Sequence, residues 1–182
     1  DVLNSYHVLR KYETEHIEPL YIISGNHDDS KSITEPTSWD VLAQFFNGSS
    51  RVIFVKTWQV HTLDSGTQIL FVGWNIHNSA ATALIQAMEA GFDKIRVVVC
   101  HLDRVSYGDE SNVIPYDFFL SHGIEYVISG HEHKPYQFKE KNMQVIGTGS
   151  MLPYSHAEDP ESNHYITFRS LEELETYGVE NL

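Results

Sequence analysis

The chain has 182 residues, of which 41% are hydrophobic and 20% are charged. This composition excludes a disordered or fibrous protein, and the length suits one sizeable core better than two domains. The 25 acidic and 12 basic side chains give a formal net charge of −13. That charge argues against broad nonspecific attraction to nucleic acid, although it is compatible with a local site where metal ions offset carboxylates.

The sequence also indicates where the protein works. No apolar run reaches the roughly 20 residues that a membrane-spanning helix needs, and no charged-then-apolar leader opens the chain. We therefore expect a soluble cytoplasmic protein without a membrane partner. The single cysteine, Cys100, lies in the apolar run IRVVVC, which predicts a buried strand thiol. Because the first residue is Asp1 rather than methionine, we expect a fragment of a longer reading frame.

The first part of the chain predicts a helix, a strand and a second helix. Apolar residues recur at helical spacing from Val2 until the pattern fades near His16. The run LYIIS predicts a strand over 20–24, and the polar composition that follows predicts a functional loop over 26–38. The segment WDVLAQFF predicts a short helix over 39–46.

The middle of the chain predicts a hairpin and then repeated helix-strand units. Two β-rich runs, 51–63 and 67–74, are separated by the turn signal DSG, so we expect them to belong to one sheet. A segment with strong helix propensity over 79–92 precedes the apolar strand 95–100. The same order recurs over 116–129. This alternation predicts a mixed α and β protein.

The last third predicts more β-structure. A hairpin is expected over 136–147, a further strand over 164–170, and a solvated acidic tail over 171–182. No internal repeat, low-complexity segment or linker divides the sequence. We therefore expect a single domain over residues 1–182.

Three apolar strands end abruptly in side chains that bind metal ions. YIIS is followed by GNHD, VVVC by HLD, and YVIS by GHEH. In sheets with helical crossovers, ligands collect beyond the carboxyl ends of the strands, so we expect the three loops to meet at one site. Imidazole with amide or carboxylate oxygen suits Mn²⁺, Fe²⁺ or Zn²⁺. A two-metal centre of this kind would activate a water for attack on phosphorus.

In this order, the three motifs resemble the second half of the calcineurin-like metallophosphoesterase superfamily, over about the whole chain. The resemblance implies an α/β (α+β) fold, a four-layer β-sandwich flanked by helices, here amino-terminally truncated. It also implies hydrolysis of phosphoesters with two divalent metal ions, Mn²⁺ first and Fe²⁺ or Zn²⁺ as alternatives. The ligands that it implies are Asn26, His101 and His131 for one ion and His133 for the other.

The resemblance implies catalytic roles for two further residues. His27 would protonate the leaving oxygen or stabilise the transition state, with Asp28 beside it to orient the ring. The family opens with Asp-x-His and Gly-Asp, and neither motif lies upstream of GNHD in this sequence. The chain as written therefore lacks a complete binuclear site. Asp1 is a candidate for the bridging carboxylate, although its place at the head of a helix argues against that role.

A finer assignment comes from GTGSMLPYSHAEDP, residues 147–160. This segment resembles the one that follows the last histidine motif in SbcD-like DNA repair exonucleases and their phage counterparts. That likeness implies DNA as the substrate, an ATPase partner subunit and a homodimer. Two alternatives stay open: a nucleotide or protein phosphatase of the same fold, and a catalytically silent interaction module.

Several residues also have plainer interpretations. Asn26 and His27 would cap a turn, and His101 would be a hydrogen-bonded histidine at a strand end. Five further histidines are expected on the surface or in loops, with substrate contact as an alternative for one of them, His156; they are His61, His77, His122, His156 and His164. The tryptophans are expected in core or rim positions rather than stacked on bases.

Overall fold

The computed structural model describes residues 2–28, 35–74, 79–106 and 112–150, together with Glu173. The helices in these ranges are α1 (Val2–Glu15), α2 (Ser38–Phe45), α3 (Ala80–Glu89) and α4 (Tyr116–Ser121). The strands are β1 (Leu20–Ile23), β2 (Val52–Val55), β3 (Trp58–Thr62), β4 (Gln68–Val72), β5 (Ile95–Cys100), β6 (Tyr126–Ser129), β7 (Tyr136–Glu140) and β8 (Met143–Gly147). None of the described helices has both the length and the hydropathy to cross a bilayer.

Some expectations fall outside the described residues. These are Asp1, the strand expected over 164–170, the acidic tail apart from Glu173, and the histidines at 77, 156 and 164. The structure says nothing of them.

The strands form two sheets, and the mixed α/β class expected from the sequence is confirmed. The large sheet has the order β3-β4-β5-β6-β8-β7, in which β4, β5, β6 and β8 run parallel and the two edge strands pair antiparallel. The small sheet pairs β1 with β2 in parallel. The continuous apolar run of β5 suits its central parallel position, because such strands are covered on both faces.

The main core covers the large sheet. Its strands contribute fully buried side chains, and α3 and α4 pack against them through Leu84 and Phe119. The capping hydroxyl of Ser79 starts α3 and Gly91, at φ +97°, ends it, which confirms the helix expected over 79–92. Cys100 is 1% exposed, as the sequence predicts, and burial raises the pKa of its thiol to about 12.

The run 51–63 does not lie in one sheet with 67–74, so that expectation is wrong for half of the run. Its first part is β2, in the small sheet, and only its second part, β3, forms the hairpin with β4. The chain changes sheets at Lys56 and Thr57, where the carbonyl of Thr57 accepts a hydrogen bond from Gly73 N–H (3.0 Å). No glycine or proline stands at this change of sheet. Thr57 is held there by its hydrogen bond from Gly73, a residue distant in the sequence.

A close backbone contact joins the two sheets at the ends of β1, β2 and β4; we call it the seam (Ser24, Val55, Thr57, Gly73 and Trp74). Ser24 N–H donates to Val55 O (3.0 Å) within the small sheet, and Trp74 N–H, from the end of β4, donates to Ser24 O (2.7 Å) across the two sheets. A Cβ atom on Gly73 would lie 2.6 Å from the carbonyl oxygens of Val55 and Lys56 and from Ser24 Oγ. Only glycine therefore allows the sheets to approach this closely.

We predict that Gly73→Ala destabilises the fold by about 1–3 kcal/mol, because the added methyl group forces two backbone carbonyls apart. The midpoint of urea unfolding, followed by circular dichroism, measures the effect. Gly130→Ala is the matched control, since a Cβ there meets its nearest neighbours at 3.7 Å, an ordinary contact. Equal unfolding midpoints for the two variants would show that the seam does not require glycine at position 73.

We also predict that the Cys100 thiol reacts with a disulfide reagent at pH 8 only after unfolding, because it is both buried and protonated. Spectrophotometric titration should count no fast thiol in the native protein and one in denaturant. Glu89→Cys, at an exposed position of α3, is the control and should add one fast thiol. Fast modification of the native wild-type protein would show that the core is open at this strand.

Candidate metal site

The loops after β5 and β6 begin side by side. Cys100 and Ser129, the last residues of these neighbouring strands, are paired in parallel register. Gly130 N–H donates to Cys100 O (3.1 Å), so His101 and His131 leave the sheet at the same edge. This is the meeting of strand ends that a parallel arrangement produces.

The loop after β1 reaches the same place from the other sheet. Asn26 Oδ1 lies 3.0 Å from His101 Nε2, although the two residues are 75 positions apart. Gly25 permits the approach, since a Cβ there would lie 3.1 Å from His101 Cε1. Two ligand atoms bound at right angles to one ion, each at about 2.1 Å, are also roughly 3 Å apart. The spacing of amide oxygen and imidazole nitrogen therefore fits a shared metal ion.

His131 completes this group of donors. Its ring centroid lies 4.9 Å from that of His101. Its Nε2 lies 3.0 Å from Asp103 Oδ1, whereas its Nδ1 is buried and has no hydrogen-bond partner within the described part of the chain. A buried polar atom without a partner is costly and calls for an explanation. A metal ion at Nδ1 would supply the missing partner, so the donor set fits such an ion.

Trp74 forms one wall of this group. Its ring stacks on His131 at 5.4 Å between centroids and meets His101 edge-on at 6.0 Å. Its backbone N–H belongs to the seam, so the same residue that joins the sheets also shields the imidazoles. Trp74 is half-buried, which matches the rim position expected from the sequence.

The surroundings keep His101 neutral. Burial is the largest cause that lowers the pKa of His101 to about 4, and positive charge on His131, followed by the histidines at 27 and 133, acts in the same direction. A neutral imidazole is the form that binds a metal ion. His101 therefore stays in its ligand form across the physiological pH range.

Asp28 fastens the turn that presents Asn26. Its Oδ2 accepts a hydrogen bond from Gly25 N–H (2.8 Å), and its own N–H donates to Gly25 O (3.0 Å). The turn-capping interpretation thus applies to Asp28, a residue for which the sequence analysis expected an orienting role toward His27. That orienting role stays a prediction. His27 lies between Asn26 and Asp28 in the chain, is exposed, and contributes to the low pKa of His101.

His133 lies at the outer edge of the group. It is exposed, and its carbonyl accepts a hydrogen bond from Ser150 N–H (3.0 Å). Its assignment to a second ion stays a prediction. Across residues 2–28, 35–74, 79–106 and 112–150, no three His, Cys, Asp or Glu side chains cluster closely enough to hold a metal ion. The donor set described above therefore depends on an amide oxygen, from Asn26, beside two imidazoles.

Sequence reasoning assigned no role to three side chains that support these loops. Asp103 contacts His131, and Glu132 Oε1 accepts a hydrogen bond from Arg104 N–H (3.2 Å), which ties the HLD and GHEH loops together. Ser129 Oγ accepts from Leu102 N–H (3.0 Å) and donates to Leu102 O (2.8 Å). Asp103 and Glu132 lie inside the HLD and GHEH motifs, so their positions in the sequence could have indicated a role at the site. Their partners, however, are set by tertiary contacts that the sequence does not show.

Comparison with known proteins places the chain in a family. The family model for calcineurin-like phosphoesterases matches residues 3–135. The chain therefore belongs to the calcineurin-like phosphoesterase family, as the resemblance predicted, while the SbcD-like subfamily stays a prediction. No curated protein matches the sequence.

Two solved structures resemble the fold weakly. One is a Staphylococcus aureus protein assigned as a 5′-nucleotidase, in complex with α-ketoglutarate, at 14% identity and a TM-score of 0.49, covering 80% of this chain and 35% of that chain. The other is GAP50, the anchor in the inner membrane complex of Plasmodium, at 14% identity and a TM-score of 0.37, covering 84% of this chain and 68% of that chain. The chain thus spans about a third of the length of the nucleotidase.

We predict that Gly25→Ala weakens Mn²⁺ binding by about ten-fold, because the added methyl group displaces His101 from Asn26. Isothermal titration calorimetry of the metal-free protein measures this affinity. Gly130→Ala is the control, because a Cβ there would also face His101 but at 3.7 Å from Nδ1. Unchanged Mn²⁺ affinity in Gly25→Ala would show that His101 is not a ligand of the metal site.

Proposed function

We propose that this chain is the metal-binding part of a divalent-metal-dependent phosphoesterase, with Asn26, His101 and His131 as ligands of one ion. One observation carries the proposal: Asn26 Oδ1 and His101 Nε2, on loops that follow strands of different sheets, lie 3.0 Å apart, and the ring of His131, with its unpartnered Nδ1, lies 4.9 Å from that of His101. Family membership over residues 3–135 supports the reaction class.

The residues of the site have separate tasks in this proposal. A bound divalent ion supplies Lewis acidity, which lowers the pKa of a coordinated water and polarises a phosphoryl oxygen. Three protein donors leave coordination positions open for water and substrate. His101 enters the site neutral because it is buried, and Trp74 covers one side of the imidazoles. His27 is placed next to Asn26, where it would donate a proton to the leaving oxygen.

We further propose that the substrate bond is a phosphodiester of DNA. The segment that resembles DNA repair exonucleases, 147–160, is described only as far as Ser150. Its beginning lies at the site, because Ser150 N–H donates to His133 O and Thr148 N–H donates to Ser129 O (2.9 Å). An ATPase subunit and a second copy of the chain are the partners proposed on the same resemblance. The net charge of −13 makes DNA binding depend on the metal ions rather than on basic residues.

We predict that Asn26→Ala and His101→Ala each lower the rate of hydrolysis by at least roughly 10–100-fold. Losing a residue that only supports a metal ligand commonly has an effect of this size, and each of these changes removes a proposed ligand itself. The assay uses the protein loaded with Mn²⁺, and bis-p-nitrophenyl phosphate as substrate. His122→Ala, at the end of α4 and bound to Phe118 O, is the matched histidine control.

The substrate class needs a second comparison. Linear DNA, the aryl phosphodiester and p-nitrophenyl phosphate are offered to the same protein, and metal content is measured by elemental analysis. Faster cleavage of DNA supports the nuclease proposal, whereas preference for the monoester supports a phosphatase. Protein that binds no stoichiometric metal and cleaves none of these substrates would be the silent interaction module.

A further inference from the structure

We infer that Asp103 is a positioning residue for the proposed metal site, whose carboxylate holds the proton of His131 on Nε2 and so leaves Nδ1 as the ligand atom. The inference rests on the proposed function, because the ion that Nδ1 would bind is the one proposed above. Neither the motifs nor the family resemblance assigned Asp103 a role.

The tautomer follows from the chemistry of the two side chains. An ionised carboxylate carries no proton, so its oxygen, 3.0 Å from His131 Nε2, favours the tautomer with the proton on Nε2 over the one that sets two lone pairs against each other. A neutral imidazole carries one N–H, and its other nitrogen then has a free lone pair. In His131 that other nitrogen is Nδ1, which is buried without a partner in the described part of the chain.

The backbone that carries the Asp103 carboxylate is fixed by hydrogen bonds. Asp103 N–H donates to Asn112 O (2.8 Å), and Ile114 N–H donates to Asp103 O (3.0 Å), so both backbone groups are fixed by the segment before α4. In the preceding residue, Leu102, both the backbone N–H and the carbonyl form hydrogen bonds with Ser129 Oγ. The side chain of Asp103 is only 17% exposed and that of His131 21%. This contact therefore differs from a surface ion pair, which is mobile and contributes little.

The ring of His131 is held as well. Trp74 stacks on it with an angle of 22° between the ring planes. A ring turned by a half-rotation would place Cε1 against Asp103 and lose the contact between Nε2 and the carboxylate. Orientation by a carboxylate on the far nitrogen fixes the tautomer and raises the basicity of the ligand nitrogen, and removing such a partner commonly weakens metal binding 10–100-fold.

The first test reads the tautomer in the metal-free protein, without any metal or substrate. Long-range ¹H–¹⁵N correlation spectra of ¹⁵N-histidine-labelled protein at pH 8 should show the proton of His131 on Nε2 rather than on Nδ1. In Asp103→Leu this preference should be lost. A wild-type His131 protonated on Nδ1, or on both nitrogens, would overturn the inference and make the contact a simple ion pair.

The second test measures Mn²⁺ affinity by calorimetry. Asp103→Leu should bind about 10–100-fold more weakly than wild type. Asp103→Asn, which keeps an acceptor oxygen but not the charge, should lie between them and serves if the leucine variant fails to fold. Asp117→Asn removes the same charge from an exposed pair with Lys141 and is the control.

The outcomes separate the inference from the proposed function. If wild type binds no Mn²⁺, the proposed metal site fails, while the tautomer of His131 still decides the role of Asp103. If all three aspartate variants bind Mn²⁺ as tightly as wild type, Asp103 has no positioning role even though the metal site stands.

Discussion

The whole arrangement depends on the absence of a side chain at Gly73. At this glycine the end of β4 comes close to the ends of β1 and β2, and Trp74 forms two hydrogen bonds with Ser24 between the two sheets. This contact fixes the position of the small sheet relative to the large sheet. It therefore decides that Asn26, three residues beyond β1, arrives beside His101, one residue beyond β5. A bulkier residue would separate the sheets and with them the donor atoms.

The three loops of the site are held by polar side chains rather than by packing alone. Asp28 closes the first loop on Gly25, Ser129 and Asp103 fix the second, and Glu132 joins the second to the third. Each of these contacts pairs a side-chain oxygen with a backbone group or a ring nitrogen of a site loop. Loops fixed in this way present their ligand atoms at set distances, which is what metal coordination requires.

The site is also where the fold tolerates an unfavourable arrangement. Burial and the neighbouring imidazoles lower the pKa of His101 and keep it neutral, while Nδ1 of His131 has no partner in the described residues. These features are tolerated because the core of the large sheet, with Leu70, Val98 and Val127 fully buried, supplies stability elsewhere. Local conflicts of this kind concentrate at functional sites. The same acidic chain, with its charge of −13, is suited to cations rather than to unassisted binding of anions.

Local patterns in the sequence determined the elements and the chemistry of the loops. The helix-strand order over 79–100 and 116–129, the buried thiol of Cys100 and the three polar strand ends are all readable because periodicity, capping and composition act over a few residues. Only the tertiary structure decided that the run 51–63 is divided between two sheets, that Asn26 meets His101, and that Asp103 and Trp74 flank His131. The reason is that sheet partners and side-chain contacts join residues far apart in the chain, and the backbone groups that hold them carry no sequence-specific signal.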